Sequence, residues 1–180
     1  MGGGTFFIAL ALGYGSQFFI AKAPSLILAF ALLMLIILIG IIFDIIGMAT
    51  AVASKASLNA RAAKKIAGAR QALALVNNAD RVASFSTDVV GDISGTLSGA
   101  LGAVIIIRLV GQQGADDVLI STVMTALVAA VTVGGKAWGK AIALREADEI
   151  VFWVGRVLFV LEKIVGWRPF KHPPKKGQRP

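Results

Sequence analysis

The chain has 180 residues, enough for one domain, with 57% hydrophobic and 16% charged residues and a net charge of +8; its mean hydropathy is +0.80. That balance argues against a soluble domain and for an all-α integral membrane protein in contact with a lipid bilayer. The absence of cysteine excludes disulfides and thiolate metal sites. Because the basic residues flank apolar stretches, they fit membrane orientation and anionic headgroups, and nucleic acid is not an expected partner.

Residues 1–22 form an N-terminal unit, apolar from Phe6 to Ile20. It lacks the basic leading region of a cleavable signal, and Phe6 stands where an acylation signal takes Ser or Thr. It reads as an extra span or as a half-inserted external helix, and Gly13-Tyr14-Gly15 predicts that it is interrupted. The clearest span is Pro24 to Val52, which opens on the unbroken apolar run Leu26 to Ile39 and carries Asp44 in its second half. Roughly 20 residues cross the hydrocarbon at about 1.5 Å each, so this helix can tilt or project.

The segment Ser54 to Arg81 carries Lys55, Arg61, Lys64, Lys65, Arg70 and Arg81 against one acid, Asp80, which places it in the cytoplasm. Its Ala, Leu, Lys and Arg content predicts a short helical hairpin at the inner interface, with breaks at Gly68 and Asn77-Asn78. A second span follows from about Ala83 to Ile107, then an external turn from Arg108 to Asp117, then a third span from Val118 to about Ala137. The helix from Ala147 to Trp167 contains Arg156, Glu162 and Lys163 and bears Trp153 and Trp167, so it is expected to lie in the interface and not to cross. Arg168 to Pro180, with four prolines and five Lys or Arg, is expected to be a disordered cytoplasmic tail, and the lone His172 is solvated there. The organisation is therefore 1–22, a transmembrane domain over 23–167, and the tail 168–180: three core transmembrane helices with an extra N-terminal hydrophobic helix, a juxtamembrane hairpin and a C-terminal interfacial helix.

Three aspartates inside the spans, Asp44, Asp88 and Asp92, are the strongest pointer to function. A carboxylate at mid-membrane costs roughly 2.5–3.5 kcal/mol on insertion scales and usually marks an ion or proton path. On an α-helix Asp88 and Asp92 lie about 40° apart. Their face extends through Ser84, Gly91, Gly95, Gly99 and Gly102, opposite Val90, Ile93, Leu97, Leu101 and Val104, which are expected to face lipid. Gly91, Gly95 and Gly99 have the small-xxx-small spacing that lets helices approach closely. Two like charges one turn apart require a shared proton or an intervening cation, and oxygen ligands suit a hard cation such as Mg²⁺. The candidate ligands are Asp88 and Asp92, with Ser84, Thr87 and Ser94 as auxiliaries, Gly134-Gly135 as a helix break exposing carbonyls, and Asp44 as a third carboxylate. The competing arrangement pairs Asp88 and Asp92 with Lys136.

Gly135-Lys136-Ala137-Trp138-Gly139-Lys140-Ala141-Ile142-Ala143 resembles the Gly-Glu-x-x-Pro-Lys-x-x-Ala signature that ends the third span of the CorC and cyclin-M (CNNM) magnesium transporters, with Lys136 for Glu and Gly139 for Pro. The stretch Leu75 to Ser84 is similar to the segment before that family's second span, whose following Asn-x-x-x-Asn falls on Asp88 and Asp92. Phe43 to Ser54 is more weakly similar to the end of the first span. The resemblance covers roughly Pro24 to Trp167. It implies a homodimeric module in the cell membrane, its three spans enclosing a Mg²⁺ site of polar side chains and backbone oxygens, with proposed Na⁺ coupling. Nucleotide-binding CBS domains usually follow the module; regulation through them is not expected from this polypeptide, and a separate soluble regulatory protein is a candidate partner. Asp in place of Asn keeps oxygen ligands and adds charge, which favours tighter cation binding or proton coupling.

The expected function is thus a multi-pass cation transporter, with Mg²⁺ as the ion. The alternative is a non-transporting scaffold or regulatory subunit, to which Lys136 and Gly139 point; a holin-like pore former ranks below both. Enzyme chemistry is not expected: no His pairs with Ser, no loop cradles phosphate, and Asp88 and Asp92 share one helix, unlike the facing pair of an intramembrane aspartyl protease.

Overall fold

Helix starts and stops follow from local chemistry in the computed structural model, which describes residues 2–22, 25–110 and 116–165. Helix α1 covers Gly2–Lys22. Ser25 starts α2 (Leu26–Val52) by accepting a 3.3 Å hydrogen bond from the Leu28 N–H, which satisfies a donor that the first turn leaves unpaired. Ser54 does the same for α3 (Lys55–Ala63) through the Ser57 N–H. The expected hairpin then forms: α3 turns into α4 (Ala69–Asn77) through Lys65 at φ 57° and Gly68 at φ 86°. Gly68 meets two demands, a left-handed backbone and a close approach in which a Cβ would stand 2.7 Å from the Arg156 Cα.

Asn78 interrupts the chain before α5 (Ala79–Ser84), which passes through a π-helical segment, Phe85–Gly91, into α6 (Asp92–Val110). Helix α7 is Asp116–Arg145 and α8 is Ala147–Val165. Three stretches are long and apolar enough to cross a membrane: Leu26–Val52, Ala79–Leu109 and Val118–Arg145. No strand occurs among the described residues. The protein is an all-α integral membrane protein.

Helix α2 is the central post, packed against α6, α7 and the π-helical segment. Two cores divide the protein. Within the spans, Leu33 and Ile37 of α2 close against Leu101 and Ile105 of α6. In the juxtamembrane layer, Leu58, Ala72, Leu75 and Val76 of α3 and α4 pack on Val151 and Phe152 of α8 and on the ends of α2 and α7 at Ala49 and Ala143. Water drives the second core, where a fully buried Val or Leu contributes about 1.5–3 kcal/mol. Lipid supplies no such drive to the first, so close contact of small residues decides there. Gly40 and Gly47 of α2 show it: a Cβ on Gly40 would lie 2.8 Å from the Ser94 Cβ, and one on Gly47 would lie 2.7 Å from the Thr87 Oγ1.

Three expectations need correction. Helix α1 runs unbroken through Gly13-Tyr14-Gly15; glycine costs a helix about 1 kcal/mol, less than leaving backbone groups unpaired in an apolar setting. The third span continues eight residues past Ala137, to Arg145, because it reaches down to the juxtamembrane core at Ala143. The face expected to meet lipid is instead turned inward: Ile93 and Leu101 are buried and Val90, Leu97 and Val104 half-buried, while Asp92 and Gly99 are exposed. The tail 168–180, Trp167 and residues 111–115 of the external turn lie outside the described residues.

Candidate cation site

Asp44 sits on α2 at the boundary between the two cores. With about 100° per residue, its side chain leaves α2 about 40–60° from Gly40, which faces Ser94 of α6, and from Gly47, which faces Ser86 and Thr87 of the π-helical segment. It lies a similar turn or more from Ile41 and Ile45, which fill the space against Gly135 and Gly139 of α7. Asp44 therefore occupies the junction of α2, α7 and the π-helical segment. It is only 2% exposed. Its Oδ2 lies 3.9 Å from the Lys140 Nζ, and the Lys140 side chain is 45% exposed. That spacing is an ion pair without a hydrogen bond, and Asp44 Oδ2 is buried with no hydrogen-bond partner among the described residues. A buried carboxylate oxygen in that state is costly and is a ready ligand for a cation.

The π-helical segment supplies the second ingredient. Its sequence, Phe85-Ser86-Thr87-Asp88-Val89-Val90-Gly91, puts side chains that compete for backbone hydrogen bonds beside two β-branched residues and a glycine. A change in ladder pitch is tolerated there and redirects carbonyls from the helix's own N–H groups. The Gly91 carbonyl, at the C-terminal end of the segment, accepts a 3.3 Å hydrogen bond from the Lys136 ammonium. Ser86 and Ser94 are buried on the side that faces α2, and Thr87 abuts Gly47. On either side of Asp44, α2 thus meets hydroxyls, Ser94 at Gly40 and Thr87 and Ser86 at Gly47, while Lys140 stands by the carboxylate and Lys136 by the Gly91 carbonyl.

The structure distributes the sequence-derived candidates unevenly. Asp44 lies at the junction; Thr87, with Ser86, meets α2 at Gly47, and Ser94 meets it at Gly40, about one turn to either side of Asp44. Ser84 is half-buried one turn before Asp88. Asp88 and Asp92 share a face, as expected, but that face is exposed and turned away from α2. Neither forms an ion pair within 4 Å among the described residues, so Lys136 serves the Gly91 carbonyl and not these carboxylates. Gly134-Gly135 is not a helix break, because α7 passes through it continuously; Gly135 is instead where Ile41 packs. The helical irregularity in the spans is instead the π-helical segment between α5 and α6, through which the helix continues. Among the described residues no cluster of three or more His, Cys, Asp or Glu exists, so any cation held at Asp44 takes most of its ligands from neutral oxygens or water.

Residues 30–170 match the family described as the cyclin M transmembrane N-terminal domain. The chain belongs to that family. No curated protein and no solved structure matches it. The cyclin M match covers the first span from Phe30 on, the other two spans and the juxtamembrane hairpin, and it includes Asp44, the π-helical segment, Lys136 and Lys140. The junction at Asp44 is therefore within the cyclin M domain, whereas all of α1 precedes it.

Proposed function

We propose that this protein is a cation transporter of its membrane, with Mg²⁺ as cargo, and that the cation enters between Asp44 and the carbonyls of the π-helical segment. One observation carries the reading: a carboxylate buried between three helices with an oxygen that no described residue hydrogen-bonds, beside a helix that widens to π-helical pitch. Membership of the cyclin M family and the hard oxygen ligands favour Mg²⁺, which keeps several waters and needs few protein ligands. The ammonium groups of Lys136 and Lys140 hold the junction's negative potential while it is empty. A divalent cation displaces them, and Lys140, already half in solvent, has a short way to water. The basic juxtamembrane layer fits the cytoplasm. The outward carboxylates Asp88 and Asp92 fit a homodimer, because a second copy on that face would remove them from lipid.

A second reading has its own observation. Lys136 and Lys140 already occupy the carbonyl and the carboxylate, as they would in a scaffold that no longer carries ions. Flux into vesicles loaded with a Mg²⁺-sensitive dye separates the two. The transporter moves Mg²⁺ and loses most of its rate in Asp44→Asn; a scaffold moves no cation in either form.

A further inference from the structure

The juxtamembrane layer has an outer surface that the cation site does not use. The side of α8 that packs on α4 carries Val151 and Gly155, and a Cβ on Gly155 would stand 2.6 Å from the Gly68 carbonyl oxygen. The opposite side is apolar and open: Trp153, Val157, Val160 and Ile164 are 59%, 58%, 51% and 74% exposed. Beside it lie two adjoining hollows that share Ala67 and Phe159. One, of about 520 Å³, is lined by Trp153, Val157, Val160 and Leu161 with Arg156 at its margin. The other, of about 360 Å³, is more polar than the first and lined by Lys65, Gly68, Arg70 and Gln71 together with Ile66.

Charge in this region is divided in an informative way. The nearby acids are engaged on the protein side: Glu149 by Arg61, Asp148 by the Ser54 N–H at 2.7 Å, and Glu162 by the Gln71 amide at 2.6 Å. The cations face outward. Lys64, Lys65, Arg70 and Lys163 are exposed, and none has a carboxylate within 4 Å among the described residues. Arg156 stacks on Trp153, 5.1 Å from its ring centroid, so its guanidinium borders the apolar hollow.

We infer that these two hollows form a binding site for one anionic phospholipid of the leaflet next to the juxtamembrane layer. Lys65 and Arg70 receive the phosphate in the polar hollow, and an acyl chain lies along Trp153, Val157 and Val160. Each half alone has ordinary explanations. An apolar hollow continuous with an uncompensated basic one, at the level where the spans leave the membrane, matches the shape of an amphiphile. A tryptophan at that depth is the usual interfacial anchor, and the leaflet's negative charge supplies the complement to the cations. The inference is independent of what crosses the membrane at Asp44.

The test uses the full chain in a neutral detergent, with phosphatidylglycerol titrated against phosphatidylcholine. Lipid retention is read by native mass spectrometry and thermal stability by intrinsic fluorescence. Phosphatidylglycerol should be retained at one per chain and raise the unfolding temperature, and phosphatidylcholine should do neither. Each cation removed should weaken retention roughly five-fold, so the exposed pair Lys65→Gln and Arg70→Gln together should weaken it about 25-fold. Arg81→Gln, an exposed cation outside the hollows, should leave it unchanged. Three results overturn the inference: an equal loss in Arg81→Gln, which would mean diffuse attraction; the same stabilisation by inorganic phosphate alone; or a change of oligomeric state in the double variant without loss of lipid, which would assign the face to a second copy.

Discussion

Replacing Asp44 by Asn should stabilise the cation-free protein, although it deletes a charge from an ion pair. At 3.9 Å the attraction to Lys140 is at most about 4 kcal/mol with an effective dielectric of 20, and the 45% exposure of the lysine lets water screen much of it. Against this stand a desolvation penalty of several kcal/mol for a buried ion and roughly 1–3 kcal/mol for an oxygen without a hydrogen bond. Asn keeps the shape and removes the ion, while Lys140 turns to water. The expected gain is about 1–2 kcal/mol, or roughly 2–8 °C in the unfolding temperature for a chain of this size, measured by fluorescence in chelator-treated detergent. Adding Mg²⁺ at a hundred times its dissociation constant should stabilise the native sequence by about 2.7 kcal/mol and the variant by almost nothing. The reasoning is refuted if Asp44→Asn is less stable than the parent without cation, since Asp44 would then be the structural counter-ion of Lys140. An equal gain from Mg²⁺ in both proteins refutes it as well.

Other consequences follow from particular contacts. Lys136→Met frees the Gly91 carbonyl from an ammonium and should raise Mg²⁺ affinity while costing about 1.5–3 kcal/mol of cation-free stability, the range of a charged hydrogen bond; calorimetric titration reads the first and thermal unfolding the second. Gly47→Val would push into Thr87 Oγ1 and the Ala83 carbonyl and should cost about 1–3 kcal/mol, whereas Gly95→Ala meets nothing within 4 Å and should be near neutral by the same unfolding assay. The hydrogen bond from Arg61 holds the Glu149 carboxyl below its ordinary value of 4.5. Its stabilisation is therefore present above that value and lost as pH falls through the lowered one. Because the pair is exposed, Glu149→Gln should remove no more than about 1 kcal/mol, seen as a flatter stability profile at acid pH.

Much of the architecture was legible because it rests on strong local signals. The Leu26 to Ile39 run can only be a span, and the Lys- and Arg-rich segment between Ser54 and Arg81 can only leave the membrane, with Gly68 and Asn78 marking its turns. The site was less legible because its central geometry is tertiary. Asp88 and Asp92 were expected to face inward since carboxylates avoid lipid, but the orientation of α6 is set by Leu101 and Ile105 packing on Leu33 and Ile37 and by Ser94 and Thr87 meeting Gly40 and Gly47. A signal for Asp44 did exist. Gly40, Asp44 and Gly47 form a stripe with Leu33 and Ile37 on α2, so the carboxylate lies on the helix's packing face between two small residues. The π-helical segment had only a compositional hint in its Ser, Thr and Asp. Gly134-Gly135 misled because a glycine pair in a span serves close packing as readily as a break, and Ile41 fills the space at Gly135.

The measurement that bears most directly on the cation site is a high-resolution structure of the Mg²⁺-loaded protein. It should show density between Asp44 and the Gly91 carbonyl with ligand distances of about 2.0–2.1 Å, the Lys136 ammonium withdrawn and Lys140 turned to solvent. Asp44 still paired with Lys140, Lys136 still on Gly91 and no density between them at saturating Mg²⁺ would contradict the account.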